Sequence, residues 1–392
     1  MWLSGLKLVL PDQVLPLGSL RLEGEQIAEI REGQVDEGIP LQGLTLVPGV
    51  IDLHADSLEP ELEPRPGVQL AAEMALEVWE NRALAAGMTT AFVTLSFWEG
   101  LPGWRSPETA LALAEQLVAL RSHLSLDLRI HARYEVSRPL GAAAVRHALS
   151  QGWVDLLSFM DHTPGQGQFP TLEDYVRYMA RHLGQQPEEV AASLRNPSQP
   201  EVLPALAELA QQAKERGVTL ASHDDDSSDK VQLMAKLGVK ISEFPVTLEA
   251  AGEAQQLGLL VVMGAPNALR GSSHVGNLSA LQALKAGSLG ALATDYSPAA
   301  ALRAAFALAE KQALELPQAI ALVSRNPAQA VGLQDRGALC PGLRADLVIL
   351  REKPFRVMGV FVAGRPVFLR NGLGWQGRLD PQGVGSRKVE VP

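Results

Sequence analysis

The sequence predicts an α/β protein, a (β/α)8 TIM-like barrel with a small composite β-sandwich domain built from both termini. Three observations lead there. Strand-like runs alternate with Ala- and Leu-rich helical stretches through the middle of the chain. Both ends read as short strands and turns, and the middle strands turn polar where they end.

In chain order, the first 45 residues hold short strands at Leu6–Leu10, Ser19–Leu22 and Ile27–Ile30. Pro11-Asp12 and Gly24-Glu25 break them, and both pairs are turn formers. Leu46–Leu53 is an apolar run with β-branched residues and reads as a buried strand. Seven further runs follow at Thr89–Leu95, Leu126–Val136, Trp153–Met160, Thr219–Ser222, Ile241–Phe244, Leu259–Gly264 and Ala291–Thr294. Helical stretches separate most of them, for example Ala71–Ala86, Pro107–Leu120, Pro204–Arg216 and Ala299–Leu314. The region Tyr175–Arg216 is too long for one crossover and predicts two helices. The last fifty residues return to strands at Ala345–Leu350, Val357–Val362 and Arg365–Phe368. The expected division is therefore 1–47 with 340–392 for the β-domain and 48–339 for the barrel. An open doubly wound sheet alternates in the same way, and the count of eight strands favours the barrel.

Bulk properties narrow the function classes. Of 392 residues, 46% are hydrophobic and 20% charged, a globular composition. The formal net charge of −10 argues against a nucleic-acid partner, while leaving room for a local basic pocket. The single cysteine, Cys340, excludes an intramolecular disulfide and a cysteine-based zinc site, and fits a reducing compartment. Lys7 and Pro11-Asp12 interrupt the N-terminal apolar stretch, against a signal peptide. No window approaches the ~20 apolar residues of a membrane span. The expectation is a soluble cytoplasmic protein without a membrane partner.

Chemistry-bearing residues fall at the strand ends. The first barrel strand ends in His54-Ala55-Asp56, and residues two apart in a strand point to one side, so a nitrogen and an oxygen can share a target. The third ends near Arg133-Tyr134-Glu135, the fourth in Asp161-His162, and the fifth in His223-Asp224-Asp225-Asp226. Glu243 lies on the sixth, Asn267, Arg270 and His274 follow the seventh, and Asp295 ends the eighth. A (β/α)8 barrel builds its active site at this face. Each position has a plainer reading: a solvated acidic turn at His223, turn chemistry at Asp161-His162, an ion pair of Glu135 with Arg133, a helix cap at Asp295. His123, His147 and His182 fall in helical segments and read as surface residues, and mid-strand His131 as structural. A metal site accounts for all the strand-end residues at once. Mixed His and carboxylate ligands suit zinc, manganese or iron.

These residues carry a specific resemblance. Pro48-Gly49, His54-Ala55-Asp56, Pro64-Arg65-Pro66, Asp161-His162-Thr163-Pro164-Gly165-Gln166, His223-Asp224-Asp225, Gly264-Ala265-Pro266-Asn267, Arg270-Gly271 with His274, and Asp295-Tyr296 run across the barrel. Asn326-Pro327-Ala328 and Arg344-Ala345-Asp346 extend the match toward the C-terminus. Together they resemble the amidohydrolase superfamily of metal-dependent hydrolases and, within it, the α-D-ribose 1-methylphosphonate 5-triphosphate diphosphatases of phosphonate metabolism. The chain departs from the wider superfamily in having Asp56 in place of a second histidine, no bridging lysine, and Glu243 where a histidine is usual. It departs from the diphosphatases in having Gly167 at a position expected to be basic.

The resemblance implies a divalent metal cofactor, one or two ions, with zinc placed first and manganese or iron as alternatives. It implies metal ligands His54, Asp56, Glu135, His162, His223 and Asp295, with Glu135 as the bridging carboxylate. Asp295 is the implied catalytic proton acceptor, and Arg65, Gln166, Asn267, Arg270 and His274 the substrate-binding residues. Three carboxylates against two dications would leave about one positive charge, which favours two metals. The implied reaction is attack on the α-phosphorus of the 5-triphosphate, releasing pyrophosphate from a small phosphorylated substrate, by a homo-oligomeric enzyme. The rival expectations are an amidohydrolase cleaving a C–N bond of a small metabolite, as a deacetylase or deaminase does, and a non-catalytic binding relative.

Overall fold

The computed structural model describes residues 1–392 except 66, 99–102, 138–140, 166, 168, 170, 194–201, 273–276 and 372–392. The chain opens with β1 (Trp2–Val9), β2 (Val14–Glu23), β3 (Gln26–Glu32), the two-residue β4 (Ile39–Pro40) and β5 (Thr45–Pro48). The middle carries β6 (Val50–Ala55), β7 (Met88–Phe97), β8 (Asp127–Glu135) and β9 (Leu156–Met160). It continues with β10 (Thr219–His223), β11 (Ile241–Glu243), β12 (Leu260–Gly264) and β13 (Ala291–Ala293). The chain returns to strands at β14 (Leu347–Arg351), β15 (Arg356–Val362) and β16 (Arg365–Leu369).

β6 to β13 form one eight-stranded parallel sheet in chain order, each strand pairing with the next. All eight strands anticipated in the sequence are there. The sheet closes through a parallel bridge between Ala55 and Asp295. Asp295 N–H donates to His54 O (3.0 Å) and Asp56 N–H to Asp295 O (3.0 Å). The barrel is therefore completed by the same residues the sequence marks for chemistry. Leu53, Phe92, Leu156, Ala221, Ile241 and Val262 fill its interior. A larger apolar layer packs the outer faces of the strands against the helices.

Two expectations need correction. Leu46–Leu53 is not one strand: β5 pairs with β1 and β14 in the terminal sheet, and only β6 belongs to the barrel. Pro48-Gly49 makes the break. A Cβ at Gly49 would lie 2.1 Å from Thr89 Oγ1, so only glycine lets the chain pass so close to β7. The Tyr175–Arg216 region holds three helices rather than two, at Leu172–Leu183, Pro187–Ser193 and Val202–Glu215. Gly184, left-handed at φ 64°, ends the first, and Pro187 opens the second at a position where its missing N–H costs nothing.

The terminal sheet runs β16-β15-β14-β5-β1-β2-β3, with β4 beside β1. It is antiparallel except where β4 and β5 meet β1. Its far edge curls back: Ile27 N–H donates to Leu343 O (2.9 Å) and Gly342 N–H to Ile27 O (2.8 Å). The two layers of the sandwich thus belong to one hydrogen-bonded sheet wrapped around Leu6, Leu20, Leu46, Leu347, Ile349 and Phe361. Buried Arg336 joins this sheet to the starts of the barrel strands. It donates to Thr90 Oγ1 (3.0 Å) on β7 and Asp127 Oδ2 (2.7 Å) on β8, and Arg344 Nε reaches Asp346 Oδ1 (3.1 Å) beside it. Among the described residues, no helix is long and apolar enough to cross a membrane.

Candidate active site

The C-terminal ends of the barrel strands surround a cavity of about 290 Å³ lined by His54, Asp56, His162, His223 and Asp295, with Asn267 and Arg270 from the segment after β12. Backbone shape puts them there. Asp224 and Phe244 directly follow β10 and β11, and Asp295 lies two residues past β13, with φ of 53°, 52° and 55°. Their N–H groups extend the ladder onto the neighbouring strand, to Glu243 O (3.0 Å), Val262 O (2.8 Å) and His54 O (3.0 Å). A left-handed non-glycine residue costs roughly 1–3 kcal/mol. Three such residues around one rim, after β10, β11 and β13, turn the chain sharply there. Ser227 then caps the helix Ser228–Lys236 through Lys230 N–H, so the acidic turn after β10 stays short.

His54 is buried, with Nδ1 3.0 Å from Glu243 Oε1. Burial pulls its pKa down to about 3, so the imidazole is neutral; with Nδ1–H donated to Glu243, Nε2 keeps its lone pair. Asp52, two residues earlier, accepts from the N–H groups of His54 (3.2 Å) and Thr294 (3.0 Å) and from the Thr294 hydroxyl. Burial raises its carboxyl to about 6. Asp52 therefore ties β6 to β13 directly beneath the site.

Asp56 accepts from Thr94 Oγ1 (2.9 Å) and faces Arg133 Nη1 (3.4 Å). Burial opposes its ionisation, but Arg133 together with His54 and Arg105 outweighs burial and holds the carboxyl below its usual range. Arg133 pairs with Asp56 rather than with Glu135, and its Nη2 lies 3.3 Å from His223 Nε2. Asp295 is pushed up to about 7, first by burial and then by Asp56. The helix Ala300–Glu310 begins after Ala299 with no side-chain cap, so Asp295 does not serve as one.

Glu135 stands behind His162. It accepts from His162 Nδ1 (2.6 Å), the His162 N–H (3.2 Å) and Ser137. Burial opposes its charge, and His162 outweighs burial and lowers the pKa. His162 is stacked on Trp98, ring centroids 4.6 Å apart. Asp224 Oδ2 lies 3.0 Å from His223 Nδ1 and 3.6 Å from His162 Nε2. Burial works against Asp224 too, but His223 prevails and brings it down to about 2, while burial lowers His223. Despite the short distance, neither His223 Nδ1 nor Asp224 Oδ2 has hydrogen-bonding geometry, and Glu243 Oε2 is also unpartnered.

Buried nitrogens and carboxylate oxygens without partners are costly. Here they lie in groups whose ligand atoms fall within 4.8 Å of one another: His54, His223 and Glu243; His162, His223 and Asp224; His54, Asp56 and Asp295. Neutral imidazoles beside carboxylates are the donor set a divalent cation takes, so the residues present fit a metal.

Five of the six anticipated ligands line the cavity; Glu135 does not, being held by His162. Arg270 Nη1 donates to Tyr296 OH (3.0 Å), and Asn267 Oδ1 accepts from Ala280 N–H (3.0 Å). Arg65 is exposed and outside the cavity lining. Gln166 and His274 lie outside the described residues. His131 is structural as anticipated, bonded to Leu53 O and Ser158 Oγ at 2.9 Å each. Sequence reasoning missed Asp52, Trp98 and the central place of Arg133. The signal for Asp52 was a lone carboxylate inside Val-Ile-Asp-Leu, a run otherwise apolar.

Comparison with known proteins places the chain in a family and a fold. The profile of the Amidohydrolase family matches residues 164–358. The α-D-ribose 1-methylphosphonate 5-triphosphate diphosphatase of Escherichia coli (strain K12) is 35% identical over 383 residues, covering 94% of this chain and all of that protein. A 5-methylcytosine deaminase from Klebsiella pneumoniae superposes with a TM-score of 0.67 at 15% identity, over 94% of this chain and 98% of that one. An N-acetyl-D-glucosamine-6-phosphate deacetylase from Mycobacterium smegmatis gives 0.64 at 18% identity, over 94% and 100%. At those identities the two structures speak to the fold alone.

Proposed function

This chain belongs to the amidohydrolase family and is a hydrolase, and from that premise we propose that it cleaves the 5-triphosphate of α-D-ribose 1-methylphosphonate 5-triphosphate, releasing pyrophosphate. The observation that carries the reading is the end-to-end match to the diphosphatase, with no part of that protein left uncovered. The cavity chemistry supports it: clustered histidine and carboxylate donors with arginines facing the same space.

In this reading His54, Asp56, His223 and Asp295 hold a divalent ion, with His162 and Asp224 flanking it, and zinc, manganese and iron all suit the donors. When bound, such an ion makes a water more acidic and offsets charge on phosphoryl oxygens. Asp295 accepts the proton from the attacking water. Its carboxyl lines the cavity beside His54 and Asp56, where a water held by the ion would lie. Glu243 fixes the ring and tautomer of His54, and Glu135 does the same for His162. Arg270 receives phosphate oxygens, its planar fork being suited to two at once. Tyr296 holds that guanidinium at the rim.

The test is a product assay on protein loaded in turn with zinc, manganese and iron. Pyrophosphate should appear from the ribose phosphonate triphosphate and disappear on chelation. Ammonia or acetate release from C–N substrates, with no pyrophosphate from the triphosphate or from ATP, would replace this reading with a C–N hydrolase.

A further inference from the structure

Arg133 sits where the metal site is most crowded with ligands. It lies on β8 in register with Ser96 on β7 and Ser158 on β9, and these small neighbours leave its guanidinium room within the barrel mouth. Nη1 is 3.4 Å from Asp56 Oδ2 and Nη2 is 3.3 Å from His223 Nε2, so one side chain contacts ligand candidates from β6 and β10. The side chain is only 12% exposed, and its buried Nε has no partner. A guanidinium stays charged at any relevant pH and offers donors only.

We infer that Arg133 is a built-in cation that takes the place of a second metal ion, so that each chain holds a single divalent ion. The inference rests on the metal-dependent reading above and deepens it. Two features independent of each other point the same way. The His223 Nε2 lone pair faces Arg133, leaving only the unpartnered Nδ1 for a metal. Glu135, the carboxylate that would bridge two ions, is taken up by His162 and Ser137. With Asp56 and His223 already shared between one ion and Arg133, a second dication would meet two positive charges and find no free carboxylate to bridge to the first. The guanidinium instead supplies that charge permanently and holds the two ligands in register across the barrel mouth. Arg133 is thus a positioning residue for the site.

The experiment is metal counting on the purified full chain, by elemental analysis after loading with zinc or manganese and by calorimetric titration with each ion. Wild type should bind one ion per chain. Arg133→Met, which keeps the bulk and removes the charge, should rise toward two, and Arg133→Lys should stay at one. Two tightly bound ions in wild type would overturn the inference and leave the hydrolase reading standing. A folded Arg133→Met that still binds one ion would overturn it as well. Wild type that binds neither metal would remove the metal-dependent reading and this inference together. If Arg133→Met fails to fold, the wild-type count decides alone.

Discussion

The two ends of the barrel carry comparable charge and treat it in opposite ways. At the N-terminal ends of the strands, Arg336 is bonded to Thr90, Asp127 and Asp335, and Arg344 to Asp346. Among these groups only Asp346 Oδ2 lacks a hydrogen bond, and Arg336 stands 3.9 Å from it. At the C-terminal ends, His223 Nδ1, Asp224 Oδ2, Glu243 Oε2 and Arg133 Nε are all buried without a hydrogen bond, although the first two lie 3.0 Å apart. Buried charge that is paired stabilises a fold or at least does not break it. Buried donors left open are tolerated where something else is to bind. Left-handed residues serve both ends: Asp224, Phe244 and Asp295 belong to the mouth, whereas Ala363, whose N–H reaches Asp346, belongs to the terminal sheet. One end of the barrel joins it to the terminal sheet, and the other is held in readiness for ligands.

Substitutions at the two ends should therefore separate activity from stability. The largest effect is expected from Asp295→Asn, which should lose turnover by about 10³-fold, the scale of general acid–base catalysis. The variant should fold and retain metal, as read by pyrophosphate release alongside a thermal melt. Near-wild-type turnover would remove Asp295 as proton acceptor and blur the contrast. Next comes Arg336→Met, which removes the hydrogen bonds to Thr90, Asp127 and Asp335 but leaves Asp127 with Arg129 and Asp346 with Arg344, and should cost about 2 kcal/mol. Denaturant unfolding measures that cost, and kcat/KM per folded molecule should not change. A fall in kcat/KM without loss of stability would mean that the strand starts take part in chemistry.

The smallest effect concerns pH. Asp295 and Asp52 have folded-state pKa values raised to about 7 and about 6, above the usual carboxylate value near 4. For these two carboxyls the folded state binds more protons than the unfolded state between those values, so their contribution falls as pH rises through that window, while buried His54 and His131, lowered to about 3, add stability as pH rises toward the ordinary imidazole value. Chelator-treated wild type should lose Tm relative to Asp295→Asn between pH 5 and pH 7.5, the difference between the two profiles isolating the Asp295 carboxyl. Parallel profiles for the two proteins would mean that no electrostatic strain is stored at Asp295.

Much of this was legible in the residues themselves. The eight barrel strands, their polar ends and the pairing of both termini in one sheet follow from periodicity and turn chemistry, which act over a few residues. So does the nomination of His54, Asp56, His162, His223 and Asp295, because a hydrophobic run fixes where its strand ends and therefore which residue meets the mouth. Glu135 shows the limit of that reasoning. It lies two residues from Arg133 on the same face of β8, and spacing alone suited it equally to a metal or to an ion pair with that arginine. The packed barrel gave it to His162 and sent Arg133 across to Asp56 and His223. Those partners come from strands 27 to 90 positions away in the chain, and no local pattern encodes such distances. Composition and periodicity thus determined which side chains arrive at the mouth of this barrel. Only the tertiary structure decided which of them face each other, because strand curvature, the left-handed turns at Asp224, Phe244 and Asp295, and the room left by Ser96 and Ser158 set the reach of each one.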